Sequence, residues 1–443
     1  MKPHRLGSRS VSLGAVVALA TVAAFVPSAP AVAQVNEVTN WNQIAVTTLT
    51  AFPGPGGGAP PASQIHMGMV QGAVYDAVMS IERRYEPYLL EATFPATASK
   101  EAAVATAAHE ALSDIIDSVP DAIAFPNEAT LQTSIDAAYA TSLAAIPGGP
   151  AEDAGIAAGM AAADAMDTAR QDDGRFGPSQ WVPSNAPGHW QPLVNPDTNL
   201  PVLDPTPWVG LVEPFLMRTS SQFRTDGPNA LTSAAYAEDF NEVKALGSAT
   251  STVRTEEQTH IATFWQSTPV ATWNAAARTL AVDPDYELDL VDSARLFALQ
   301  NLAAADSSIN CWNDKYHWDF WRPWNAITRA DEDGNRATKK DASWKALITA
   351  PYPDHPSGHL CLDGVHLRVL RTVFGTGKLA FEVTSVQFPG EVRTYDSISQ
   401  VLKEIIDARV WAGLHFRTAD VQARILGRKI ANFAAKNYFQ PLD

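Results

Sequence analysis

The stretch IHMGMVQGAVYDAVMSIER, residues 65–83, decides the fold class. Ile65, Met69, Val70, Ala73, Val74, Ala77, Val78 and Ile81 recur at intervals of three and four, the period of a helix face. The same spacing continues outward through 102–116, 131–146 and 154–169, with Gly148-Gly149-Pro150 as a turn between the last two. Beyond it, Tyr236, Phe240, Val243 and Leu246 share one helical face. Thr255-x-x-Gln258 is a capping box ahead of Ile261, Phe264 and Trp265. Residues 288–305 read as a long Ala/Leu helix. The last helix is expected to start near Thr418 and to turn Val421, Ile425, Ile430 and Phe433 inward. Strand alternation is scarce, so the fold class is all-α, built from helical bundles.

Ten of the 31 prolines fall between Pro178 and Pro228. Proline lacks the N–H and the φ freedom that a helix interior needs. This stretch therefore predicts a long, ordered surface crossover, pinned by Trp181, Trp190 and Trp208. It separates an N-terminal helical half, 34–177, from a C-terminal half, 229–443. The 443 residues are 46% hydrophobic and 18% charged, which excludes a disordered chain. The formal net charge of −16 argues against nucleic-acid binding, which needs a basic face. Two cysteines are too few for a disulfide framework or a Cys-rich zinc site.

Residues 1–33 have the layout of a secretory signal peptide. Lys2, Arg5 and Arg9 precede an apolar run from Val11 to Val26, and Ala31-Val32-Ala33 is a small-x-small cleavage site. The expectation is a secreted or periplasmic protein. No other run is long enough to cross a bilayer, so no span is expected in the mature chain.

The chemistry concentrates in three segments of the C-terminal half: Lys315-x6-Arg322-Pro323, Pro356-Ser357-Gly358-His359, and Arg409-x5-His415. Two guanidiniums can each bind two oxygens in fork geometry, and a lysine adds a point charge. Seven residues are two helical turns, which would put Lys315 and Arg322 on one helix face. Arg409 and His415 are six apart and converge only if the helix stops near Gly413. Ser-Gly-His is expected to open a helix, whose free N–H groups favour an anion, and Gly358 would allow close approach. The parts describe a pocket for a tetrahedral oxyanion, with two histidines left to bond its central atom and to move protons.

These three motifs, in this order, resemble the signature of the superfamily joining vanadium-dependent haloperoxidases and type 2 phosphatidic-acid phosphatases. The resemblance is clearest from Arg218 onward. Glu213-Pro214-Phe215-Leu216 and Arg254-Thr255-Glu256 also look like its bacterial, exported haloperoxidase-like branch. The resemblance implies vanadate as cofactor, with phosphate able to take the same site. It implies that His415 bonds the metal, that His359 is the acid–base group, and that Lys315, Arg322, Ser357, Gly358 and Arg409 hold the oxygens. Lys315 would also polarise bound peroxide. Trp312 and Tyr352 match the two halide-site positions. The implied activity is halide oxidation by hydrogen peroxide, with a small organic acceptor as further partner. The runner-up is an exported acid phosphatase acting on a phosphate ester through phospho-His415, and a third reading is a silent oxyanion-binding protein.

Asp420 stands five residues after His415, one beyond the position of the phosphatase acid, and reads as a first-turn acid behind Thr418 as N-cap. That leaves open which group orients His415. Convergence of the motifs would bring Cys311 near Cys361, which in an exported protein favours a disulfide. Pro356 stands between His355 and His359 and argues against a helical zinc pair.

Overall fold

The computed structural model describes residues 36–442; residues 1–33, expected to be a signal peptide, lie outside them. The N-terminal half supplies α1 (Glu37–Thr50), α2 (Pro60–Ile81), α3 (Lys100–Asp117), α4 (Glu128–Ala144) and α5 (Pro150–Arg170). The C-terminal half supplies α6 (Ala234–Leu246), α7 (Glu256–Phe264), α8 (Pro269–Ala281), α9 (Leu290–Trp318), α10 (Pro323–Thr328), α11 (Gly358–Val373), α12 (Ile398–Trp411) and α13 (Arg417–Asn437). Between α11 and α12 lies one antiparallel hairpin, β1 (Phe381–Ser385) and β2 (Phe388–Tyr395), with Phe381 opposite Tyr395. Phe381, Val383 and Ser385 face inward and the residues between them outward, a five-residue alternation too short to stand out in a helical sequence.

Local chemistry sets the helix limits. Asn36, Ser99, Ser233, Ser397 and Asp289 cap their helices through the side chain. Thr255 and Gln258 form the capping box read from the sequence. Helix α2 is buried along almost its whole length, so its helical period serves packing on all sides rather than one stripe. It lies against α9, which runs 29 residues, well beyond the Ala/Leu stretch. One hydrophobic core thus includes side chains from both sides of the crossover. Among the described residues no helix is long and apolar enough to cross a membrane.

The proline-rich stretch is ordered. Trp190 and Trp208 are buried. The Trp181 indole N–H donates to Asp319 Oδ1 at 2.8 Å, and His189 pairs with Phe320 in an isolated bridge. These contacts hold the crossover against the end of α9.

Candidate functional site

Lys315 and Arg322 do not share a helix, contrary to the spacing argument. Helix α9 stops at Trp318, and Asp319 adopts the left-handed conformation at φ 45°. Pro323 forces Arg322 into extended backbone, φ −80° and ψ 162°, as the residue before a new helix. The break still delivers both side chains to one place. Lys315 is fully buried, and its ammonium donates to the carbonyls of Pro353, Asp354 and Pro356. It therefore straps the loop that precedes α11. Arg322 is equally buried, donating from Nε to the Tyr352 carbonyl and from Nη1 to the Leu414 carbonyl, each at 2.8 Å.

Ser357 is the N-cap residue of α11, and Gly358 and His359 are its first two helical residues. A Cβ on Gly358 would meet the Trp312 ring at 3.0 Å, so the glycine permits that close packing. Arg409 lies in the last turn of α12, which ends at Trp411. Gly413, at φ +73°, turns the chain and lets His415 come back beside Arg409. The carbonyl of Gly247 would lie 2.4 Å from a Cβ there, so no other residue fits this turn.

The two imidazoles are held differently. His415 Nδ1 lies 2.9 Å from Asp354 Oδ1. A proton on Nδ1 then leaves a lone pair on Nε2, which Arg322 Nη1 approaches at 3.2 Å. Burial and the cations Arg322, Lys315 and Arg409 push the His415 pKa well down, so the ring is neutral. His359 donates from Nε2 to the Ser267 carbonyl at 3.1 Å, leaving Nδ1 free. It is enclosed by protein yet half-buried by accessible surface, as a side chain lining an internal cleft would be. Burial, and then Arg409, hold its pKa well down.

Burial also lowers the pKa of Lys315, Arg322 and Arg409. Three cations are crowded where water cannot screen them. Arg322 Nη2, Arg409 Nε and Ser357 Oγ are buried without a hydrogen bond of ordinary geometry, the Ser357 hydroxyl lying near the Asp420 carboxyl. Buried polar groups are normally paired, so three orphaned donors among these motif residues mark a place for an acceptor. Among the described residues no three His, Cys, Asp or Glu side chains gather as a bare-cation site. The pocket offers donors, a helix N-terminus and an imidazole lone pair, which fit an oxyanion such as vanadate or phosphate.

The Trp312 and Tyr352 rings meet edge to face, 5.2 Å between centroids, with Lys315 Nζ 5.5 and 5.2 Å from them respectively. The indole N–H of Trp312 is directed away, to Asp204 Oδ2 at 2.9 Å, so Trp312 presents ring carbon rather than a donor to the pocket. Cys311 on α9 and Cys361 on α11 are joined as a disulfide, with Cα atoms 6.3 Å apart.

Two carboxylates complete the site. Asp354, three residues before Ser357, is the group that orients His415. Burial pushes its pKa up to about 7, against the pull of Arg322 and Lys315. The sequence signal for it was an acid held between Pro353 and Pro356, but only the folded loop shows which way it points. Asp420 is a first-turn residue of α13, but Phe416, not Thr418, precedes that helix, and Thr418 Oγ1 instead accepts from Asn229. The Asp420 carboxyl is fully buried, without a hydrogen bond of ordinary geometry although the Ser357 hydroxyl is near. Burial raises its pKa well above the usual carboxylate range, and Arg409 opposes the rise.

Residues 295–443 match the family described as the VCPO second helical-bundle domain. The chain is 26% identical over 322 residues to the vanadium chloroperoxidase of Curvularia inaequalis, a match covering 56% of this chain and 52% of that protein. It thus spans about half the length of the curated relative it matches. Among solved structures, the fold is similar to the first bacterial vanadium-dependent iodoperoxidase, at TM-score 0.72 and 22% identity, covering 92% of this chain and 98% of the other. It is also similar to a holo-type bacterial vanadium-dependent chloroperoxidase, at TM-score 0.68 and 17% identity, covering 88% and 93%.

Proposed function

We propose that the chain is a member of the vanadium-haloperoxidase superfamily, and that it is an exported enzyme that oxidises halide with hydrogen peroxide, using vanadate held in the Lys315–Arg322–His415 pocket; the match of residues 295–443 to the second helical-bundle domain supports the family reading. The observation that carries this reading is the set of orphaned buried donors, Arg322 Nη2, Arg409 Nε and Ser357 Oγ, beside an imidazole lone pair.

Each residue then has a task. Asp354 keeps the proton on Nδ1 of His415, so that Nε2 stays available to the metal. Arg322, Arg409, Ser357 and the Gly358 N–H hold oxygens and spread their charge. Lys315 adds positive charge and keeps the loop in place through its three carbonyl bonds. His359, with Nδ1 free, takes the proton that hydrogen peroxide gives up and returns one to the departing water. Vanadate, when bound, supplies a Lewis-acid centre that makes peroxide reactive toward halide. In balance, halide, hydrogen peroxide and one proton give hypohalous acid and water. Tyr352 and the ring of Trp312 flank the approach of the halide.

The test is to dialyse the protein against orthovanadate without phosphate, assay bromide and iodide oxidation with peroxide, and measure p-nitrophenyl phosphate hydrolysis on the vanadate-free protein. Halide oxidation lost in His415→Ala supports the reading. Ester hydrolysis lost in His415→Ala, with no halide oxidation, replaces it with the phosphatase. Neither activity leaves an oxyanion-binding protein.

A further inference from the structure

The outer seam between α11 and α13 concentrates positive charge in an acidic protein. Residues 364–381 and 421–442 contain no Asp or Glu, in a chain with 48 of them against 32 Lys and Arg. Arg368, Arg371 and Lys378 come from the first stretch, and Arg424, Arg428 and Lys436 from the second. Arg371, Lys378, Arg428 and Lys436 are exposed, and the other two are half-buried. Elsewhere Arg84, Arg170 and Arg417 pair with carboxylates; among the described residues none of these six has such a partner. Lys429 faces away from the seam, lining a small hollow with Asp226.

Glycines let the two helices lie side by side. A Cβ on Gly364 would stand 3.1 Å from Arg424 Cα, and one on Gly427 would stand 2.4 Å from the Cys361 carbonyl oxygen. One turn further along, Arg368 Nε donates to Asn432 Oδ1 at 2.6 Å. Arg424, Arg428, Asn432 and Lys436 recur every four residues, a single stripe of about 18 Å at 1.5 Å per residue. Arg371 lies over Gly377, its Cζ 3.7 Å from where a Cβ would be, which brings Lys378 to the same end of the seam. Like charges four apart on a helix repel. Burial, and then Arg371 and Arg428, hold the Arg368 pKa below its ordinary value. Such a stripe is unfavourable by itself, and an anion lying along it removes the repulsion.

The surroundings of the stripe select the partner. The apolar side of α13, with Leu426, Ile430, Ala431 and Ala434, is buried in the protein, and among the described residues neither helix has an exposed large apolar side chain. A bilayer would find charge there and nothing to insert. The net charge of the chain is −16, so a wide duplex or a flat anionic surface would also meet repelling acidic surface around the seam. A thin chain stays within the seam. An acidic peptide is thin, but it loses backbone freedom on binding, and a seam of two helices has no free strand edge to offset that loss. A polysaccharide is built of stiff rings and loses less. We propose that this seam binds a linear polysaccharide bearing repeated anionic groups, gripped by the paired N–H donors of the four guanidiniums. The proposal does not depend on the reaction in the oxyanion pocket.

The probe is a short heparin fragment, titrated into the whole protein and followed by calorimetry. Saturable binding is expected in dilute salt, weakening steeply as salt is added. Arg371→Gln/Arg428→Gln/Lys436→Gln removes three exposed charges from the seam and should weaken binding by at least about tenfold. Lys339→Gln/Lys345→Gln/Lys403→Gln removes the same charge from exposed lysines elsewhere and should stay within about twofold of wild type. The single variant Arg428→Gln should weaken binding about threefold, and it tests the seam even if the triple variant fails to fold. Absence of saturable binding, unchanged affinity in the seam variants, or an equal loss in the two triple variants overturns the proposal. So does tighter binding of polyglutamate, duplex DNA or phosphatidylglycerol vesicles than of heparin, which would give the seam to a peptide, a nucleic acid or a membrane.

Discussion

Arg322→Lys keeps the charge of the pocket and removes the geometry of the guanidinium. Arg322 is fully buried, with Nε and Nη1 engaged by the Tyr352 and Leu414 carbonyls and Nη2 left without a partner. A bound oxyanion is the acceptor that Nη2 lacks, and a hydrogen bond to a charged group contributes about 1.5–3 kcal/mol. Lysine carries its charge on a single nitrogen, which cannot stand at the three separate positions that Nε, Nη1 and Nη2 of Arg322 occupy. Orthovanadate should therefore bind roughly 10- to 150-fold more weakly, at about 1.4 kcal/mol per tenfold. Titration calorimetry on the folded variant measures this directly, and orthophosphate should show a loss in the same range. Circular dichroism would confirm that the variant is folded, since two buried carbonyls lose a donor. Orthovanadate affinity within twofold of wild type in a folded Arg322→Lys protein would refute the reasoning, because Nη2 would then not face the guest.

Three further outcomes follow from the geometry. Asp354→Ala removes the acceptor at His415 Nδ1, so the ¹⁵N shifts of that ring should move from a single Nδ1–H tautomer to a mixture; an unchanged spectrum would show that Asp354 does not set the tautomer. The double variant Cys311→Ser/Cys361→Ser opens a link across a sequence separation of 50 and should cost about 4 kcal/mol in denaturant unfolding, by the loop-entropy relation; a loss below about 1 kcal/mol would contradict it. Burial holds the His366 pKa down at about 3, beside Gln64 at 3.0 Å. The unfolded chain takes up this proton near pH 6.5 while the folded one does not. This contribution is thus fully present above pH 6.5 and is lost as pH falls toward 3. Relative to His366→Gln, the wild type should lose about 1.4 kcal/mol per pH unit between pH 6 and 4, and a constant difference would exclude the linkage.

Much of the site was legible because it is written as short motifs whose residue types allow few uses. Lys315, Arg322, Ser357, Gly358, Arg409 and His415 are read from the chain and come together in the fold. What spacing misjudged was the path between them. Counting turns put Lys315 and Arg322 on one helix, whereas Pro323 ends that option by constraining the residue before it. The role of Asp354 depends on a loop folded back by the Lys315 strap, a tertiary event with no local pattern. Asp420 looked like a helix-terminal acid and is one, but its burial against Arg409 comes from the packing of α13 on its neighbours. The hairpin escaped notice because its alternation is brief. The all-α reading needed none of this, since it rests on periodicity repeated over hundreds of residues.

The most direct measurement is a crystal of the protein soaked in orthovanadate, with the metal located by its anomalous signal. The account predicts a single strong peak within bonding distance of His415 Nε2, its oxygens contacted by Arg322 Nη2, Arg409 Nε and Ser357 Oγ. A peak elsewhere in the protein, or one in the pocket with His415 Nε2 turned away, would contradict it.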